Sequence, residues 1–237
     1  MFAYGQTGSG KTHTMTGVLQ RLSRDMDHLD QNLSLYITFV QLLGNNVTDL
    51  LVDMDSDDNI NSKVSIMEDK FGKINLQGAT EVPINDINDF TKLTNDAMAR
   101  RSTSTTFKND TSSRSHAVCR LRLENTKIKS AEDGFLFLID LAGSENAADS
   151  QFHDRARIQE TKDINKSLMC LKDCIRNRAR ASADPGTFVH IPYRQSKLSL
   201  LLKDAFELES YKPSRTVVIA TIAPTIADLS MTLNTLR

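Results

Sequence analysis

Gly5-Gln6-Thr7-Gly8-Ser9-Gly10-Lys11-Thr12 is the stretch whose reading decides the rest. It fits G-x-x-x-x-G-K-S/T, a spacing shaped by the chemistry of holding phosphate. Glycines let successive backbone N–H groups curl around anionic oxygens with no Cβ in the way. Lys11 is then spaced to reach the β- and γ-phosphates, and the Thr12 hydroxyl to ligate Mg2+. A helix beginning near Lys11 points its positive end at the same anion. Apolar Phe2-Ala3-Tyr4 precedes the loop, as the end of a buried strand does. A glycine-rich turn alone does not require that context.

Working outward, 237 residues suffice for one domain with a full core. With 25% charged residues and a net charge of −1, whole-chain electrostatics point to neither nucleic acid nor membrane. Cys119, Cys170 and Cys174 form an odd set without a C-x-x-C pair and read as free thiols of a reducing compartment. The histidines lack metal-ligand spacing. Apolar runs around Phe135–Ile139 and Val217–Ile222 are strand-sized rather than membrane-spanning. Only four residues precede the loop, so no signal peptide is expected, and a soluble cytosolic protein is the default. A phosphate loop joins a central parallel strand to a helix. Met1–Tyr4 alone are available for that strand, with nothing upstream to flank it, which suggests that an N-terminal piece is lacking.

From Lys11 to about Leu29, Met15, Leu19, Leu22 and Met26 recur at helical steps. Ser34–Leu43 is rich in β-branched and aromatic residues and reads as a strand, and Gly44-Asn45-Asn46 then turns the chain. Asp53–Ser62 reads as a solvated loop. Val64–Met67 and Ile74–Leu76 form a hairpin around Phe71-Gly72. Asp86–Arg101 suits a helix with Ile87, Phe90, Leu93 and Ala97 on one face. Without internal repeats or low-complexity linkers, the chain is one domain.

Asn109-Asp110-Thr111-Ser112-Ser113-Arg114-Ser115-His116 runs into an alternating strand pattern. Taken alone, it is as compatible with an ordinary polar loop as with a site. Phe135–Asp140 is an apolar strand ending in a carboxylate, followed by Leu141-Ala142-Gly143-Ser144-Glu145. A strand-terminal Asp beside a phosphate loop is how Mg2+ is commonly held. Gly143 lets its backbone N–H approach a γ-phosphate closely.

In this order, Gly-Gln-Thr-Gly-Ser-Gly-Lys-Thr, Asn-x-x-Ser-Ser-Arg-Ser-His and Asp-Leu-Ala-Gly-Ser-Glu resemble the nucleotide-sensing motifs of the kinesin motor domain. Ile164-Asn165-Lys166-Ser167-Leu168, His190–Arg194 with Ser196-Lys197-Leu198, and Thr232–Arg237 extend the resemblance over essentially the whole chain. It implies a three-layer α/β P-loop NTPase fold, a central mixed sheet with helices on both faces, its N-terminal strands missing. Residues 1–237 would be a partial motor domain that begins at the phosphate loop and ends within the last helix, with no neck.

The resemblance also implies roles. Gly5, Gln6, Thr7, Gly8, Ser9, Gly10, Lys11 and Thr12 would bind the phosphates of ATP, with His13 near the adenine. Thr12 and Ser113 would ligate Mg2+, and Asp140 would hold it through water. Ser112 would sit near the attacking water, Gly143 would sense the γ-phosphate, and Arg114 would pair with Glu145 as the two loops close. Loss of the γ-phosphate would release both loops, an order-to-disorder step that a motor can transmit.

A lever is visible in Ile164–Arg180. Ile164, Leu168, Leu171 and Ile175 line one helical face, and Lys162, Lys166 and Arg180 fall roughly opposite. From Arg155 to Lys203 there are eleven Lys/Arg against four Asp/Glu, a basic patch on a near-neutral chain. Such a stretch is either a solvated face or a docking surface for an acidic partner. The resemblance favours microtubules (tubulin), through Lys162, Lys166, Lys172, Arg176, Arg180, Tyr193, Arg194 and Lys197. Ala148-Asp149, Asp154-Arg155 and Leu171-Lys172-Asp173-Cys174-Ile175-Arg176 lean towards the internal-motor, microtubule-depolymerising kinesins.

Asn146 and Gln41-Leu42-Leu43-Gly44 depart from the family pattern, and the link from the phosphate-loop helix to the next strand is short. Two functions remain open: a microtubule-stimulated ATPase motor, or a non-enzymatic remnant that binds microtubules without turning over ATP. A phosphate-loop GTPase is a distant third, since no Asn-Lys-x-Asp motif occurs.

Overall fold

Three runs of β-branched and aromatic residues become long strands that lie side by side. They are β2 (Leu33–Leu43), β7 (His116–Asn125) and β8 (Gly134–Asp140). β7 is antiparallel to both β2 and β8, with Thr38 opposite Arg120 and Val118 opposite Ile139. The architecture comes from a computed structural model, which describes residues 1–52, 62–103, 113–144, 155–184, 186–206 and 214–236.

Short strands complete the sheet: β1 (Phe2–Tyr4), β3 (Asn46–Asp49), β6 (Val82–Ile84) and β9 (Val218–Ala220). Its order is β3-β2-β7-β8-β1-β9, with β6 also on β2, and β1 runs parallel to both neighbours. Hairpin β4–β5 (Ser65–Glu68 and Ile74–Gln77) stands apart, turning at Gly72 with φ 80°.

Alternation along the strands sends side chains to two separate cores. On one face Phe2, Val40, Val118 and Ile139 meet Ile164, Leu168 and Leu171 of the long helix α3 (Arg155–Ala183). Leu198 and Leu201 of α4 (Lys197–Leu201) and Phe206 of α5 (Lys203–Phe206) close that layer. On the other face Ala3, Ile37, Phe39 and Leu138 meet Met15 and Leu19 of α1 (Lys11–Asp25). Phe90 and Ala97 of α2 (Ile87–Thr103) join them. Fully burying a side chain such as Phe39 or Phe90 stabilises the fold by about 1.5–3 kcal/mol. These layers are the mixed sheet with helices on both faces that the sequence implies.

The expected strands and helices form within a few residues of their predicted bounds, and α3 extends beyond 164–180. Two differences matter. β3 and Pro-containing β6 carry no clear alternation and are strands because β2 offers them an edge. More consequentially, β1 is not left unflanked. Phe2 pairs with Ile139 on one side and Val218 on the other, because the chain returns late to lay β9 beside it. Among the described residues β9 is the last strand on this side of the sheet, and its Val217 and Val218 are about half exposed. Beyond it, α6 (Leu229–Leu236) leaves Leu229, Leu233 and Leu236 exposed. Among the described residues no helix is long and apolar enough to cross a membrane.

Candidate nucleotide site

The loop after β1 is shaped by contacts only glycine allows. A Cβ on Gly5 would lie 2.3 Å from the Thr221 carbonyl oxygen, so the loop is pressed against the end of β9. Gly8 and Gly10 have φ of 78° and 94°, the left-handed region disfavoured by other residues. Open space faces both positions, as a loop that curls around an anion requires. Gly10 caps α1, whose N-terminus points into that space. The Ser9 hydroxyl donates to the Gln6 carbonyl at 2.8 Å and lies 2.7 Å from the Thr221 hydroxyl. Lys11 is buried, and its ammonium donates to the Gln6 carbonyl at 2.7 Å, so its charge sits inside the loop. Thr7, Gly8 and His13 are exposed.

Three separated segments converge on this loop. Asp140, at the end of β8, accepts a 2.7 Å hydrogen bond from the Thr12 hydroxyl. The same Asp140 oxygen, Oδ2, pairs with the Arg101 guanidinium at 2.5 Å. The other oxygen, Oδ1, is buried and takes no hydrogen bond among the described residues. The Gly143 N–H donates to the Ser113 carbonyl at 2.8 Å, and the Ser144 N–H to Gly5 at 3.1 Å. Oxygen donors with an unused buried carboxylate lone pair are the chemistry Mg2+ prefers, so Thr12, Asp140 and nearby Ser113 fit that ion. Bound there, the ion would neutralise negative charge on phosphate oxygens.

Arg101 is the residue the sequence reading missed. It is 1% exposed, and it also donates to the Ser115 carbonyl at 2.6 Å. The adjacent Arg100-Arg101 pair reads in sequence as a cationic helix end. Nothing in the spacing shows that one of the two turns inward. Thr221 was likewise only the end of an apolar run.

His116 is buried beside these groups. Its Nδ1 accepts the Ala142 N–H at 3.0 Å, and its Nε2 lies 2.8 Å from the Ser167 hydroxyl on α3. Burial, then the charges of Arg101 and Lys11, push its pKa down to about 3, which keeps the ring neutral. Burial likewise raises the Cys119 and Cys174 thiols; all three cysteines are buried and free.

Ser112 and Glu145 lie outside the described residues, as do Ala148, Asp149 and Asp154. Arg114 has its guanidinium 3.8 Å from Glu160 of α3. On α3, Lys162, Lys166, Arg176 and Arg180 are exposed along one stripe with Met169 between them. Lys172 departs from that stripe: it is half-buried, its ammonium 4.9 Å from the centre of the Tyr4 ring. Arg194 is exposed but forks onto Glu68 at 2.9 and 3.0 Å. Tyr193 and Lys197 are half-buried. A groove of about 1540 Å³ runs past Tyr193 and Arg194, with Phe71 and Phe188 exposed at its margin.

The kinesin motor domain family model matches residues 1–237. The chain belongs to the kinesin motor domain family. Among curated kinesins, it is 39% identical over 242 residues to diatom spindle kinesin-1 of Cylindrotheca fusiformis, covering 100% of this chain and 36% of that protein. It is 38% identical over 251 residues to kinesin-like protein KIN-13B of Arabidopsis thaliana, covering 100% and 34%. The chain thus spans about a third of these relatives' length. A KIF14 dimer in its two-heads-bound state, with AMP-PNP and a microtubule, has a TM-score of 0.79 at 29% identity, covering 100% of this chain and 68% of that one. The motor and motor homology domain of Kar3Vik1 gives 0.77 at 30% identity, covering 100% and 61%. The kinesin fold thus accounts for the mixed sheet and its two helical layers.

Proposed function

We propose that residues 1–237 act as one unit that binds Mg-ATP at the Gly5–Thr12 loop and hydrolyses it faster on microtubules. The observation that carries this reading is the meeting of Thr12, Asp140, Ser113 and Gly143 at the end of one buried strand. Phosphoryl transfer demands positioning and charge stabilisation more than covalent chemistry. The loop amides and Lys11 hold the phosphates, and Lys11 exchanges the Gln6 carbonyl for a phosphate oxygen. Thr12, Ser113 and Asp140 would hold Mg2+, which would offset charge on the phosphate oxygens. Ser112 orients the attacking water and relays its proton. The Gly143 N–H leaves Ser113 for the γ-phosphate, so the 113–116 and 141–144 segments respond together. Arg114 leaves Glu160 for Glu145 as the loops close. The exposed stripe of α3 meets acidic tubulin, the kind of partner seen with the KIF14 neighbour.

The test is ATP turnover by the purified chain with and without microtubules. Stimulation that Lys11→Ala abolishes supports the motor reading. Microtubule binding without turnover would favour the non-enzymatic remnant. A finer reading, carried by Leu171–Arg176 and Asp154-Arg155, is removal of tubulin from filament ends. Loss of stabilised-filament length with ATP, absent with AMP-PNP, checks it.

A further inference from the structure

Among the contacts described above, two polar links join the 113–116 segment to α3. One is Arg114–Glu160, 3.8 Å long, with both side chains about a quarter exposed. Water and salt weaken such a pair. The other is His116–Ser167, 2.8 Å long and buried. α3 also meets the sheet through the Lys172–Tyr4 cation–π contact, on β1 rather than on the 141–144 segment, and through non-directional apolar packing of Ile164, Leu168 and Leu171.

The hydrogen-bond direction in the buried link is fixed. A backbone N–H can only donate, so Ala142 makes His116 Nδ1 the acceptor. The proton of the neutral ring is then on Nε2 and is donated to Ser167 Oγ. The single Ser167 proton goes to the Ile164 carbonyl at 2.7 Å. The chain Ala142 N–H, His116, Ser167, Ile164 C=O is continuous, with donor and acceptor matched at each step. Ala142 adjoins Gly143, whose N–H is bonded across to Ser113. A shift of the 141–144 segment must stretch this chain or carry α3 with it.

We propose that His116 and Ser167 are positioning residues that transmit displacement of the Ala142–Gly143 segment to α3. The proposal rests on the nucleotide-binding reading above. Neither side chain touches the reacting groups, and both act through the backbone they grip.

Amide hydrogen exchange of the whole chain with and without Mg-AMP-PNP tests this. In wild type, the analogue should change exchange in both 141–144 and 164–170. In Ser167→Ala the change should be confined to 141–144, and Ser167→Thr, which keeps the hydroxyl, should restore the response of α3. Analogue affinity without filaments should be unchanged in Ser167→Ala, whereas microtubule stimulation of turnover should fall by about tenfold, within the usual span of coupling between sites. An α3 response in Ser167→Ala equal to wild type would overturn the proposal. So would wild-type binding of analogue with no response in α3. Failure of wild type to bind the analogue at all is read separately by titration, and removes the nucleotide reading on which the proposal rests.

Discussion

Arg101 and Asp140 form a buried ion pair, with side chains 1% and 4% exposed. Removing one partner from such a pair typically costs about 3–5 kcal/mol, because the other charge stays buried and uncompensated. Arg101→Gln is therefore expected to lower the denaturation midpoint strongly, and Arg101→Gln with Asp140→Asn to recover part of the loss. Equal stability of the single and double variants would contradict the pairing. His116 has the opposite electrostatics, a cationic form that the fold rejects. Its pKa is about 3 in the folded chain and near 6.5 in the unfolded one, so unfolding takes up a proton between those values. Its contribution to stability is complete above about pH 6.5 and is lost as pH falls towards 3, at ~1.4 kcal/mol per pH unit. Thermal melts across pH 4–7 should fall less steeply in His116→Gln than in wild type, and parallel slopes would refute the assignment.

The α3 helix combines two faces that respond to different experiments. Replacing Lys162, Lys166, Arg176 and Arg180 by Ala should weaken microtubule co-sedimentation and flatten its salt dependence, with melting little changed. Lys172→Ala should do the reverse. It removes a cation–π contact with Tyr4, worth about 0.5–2 kcal/mol, and leaves filament affinity near wild type. Sequence periodicity identified the apolar side of α3 and placed Lys162 and Lys166 opposite it. It could not separate Lys172 from the outward stripe, because Lys172 flanks the buried row, where a long side chain can reach either way. The glycine loop was legible down to single residues, since left-handed backbone and close approach are local demands. Arg101, Thr221 and Glu68 were not legible, because each matters through a partner far along the chain.

At the scale of the molecule, the weak point among the described residues is the outer edge of β9 rather than the strand before the phosphate loop. Val217, Val218 and Ile222 present about half their surface, and Leu229, Leu233 and Leu236 of α6 are exposed as well. Unpaired strand edges with apolar side chains template association. Val218→Lys should raise the solubility limit of the chain without lowering nucleotide affinity. Light scattering that rises with concentration equally in both would rule this edge out as the cause.

The seat of β1 between β8 and β9 also sets a schedule for synthesis. Once synthesised, β1 cannot take its place until residues 134–140 are available, and gains its second neighbour only with residues 218–220. At about 5–20 residues per second, that is a wait of roughly 10–40 s. During that interval the phosphate loop has no floor, so nucleotide bound there as proposed would help stabilise the nascent chain only at the end of translation of this region.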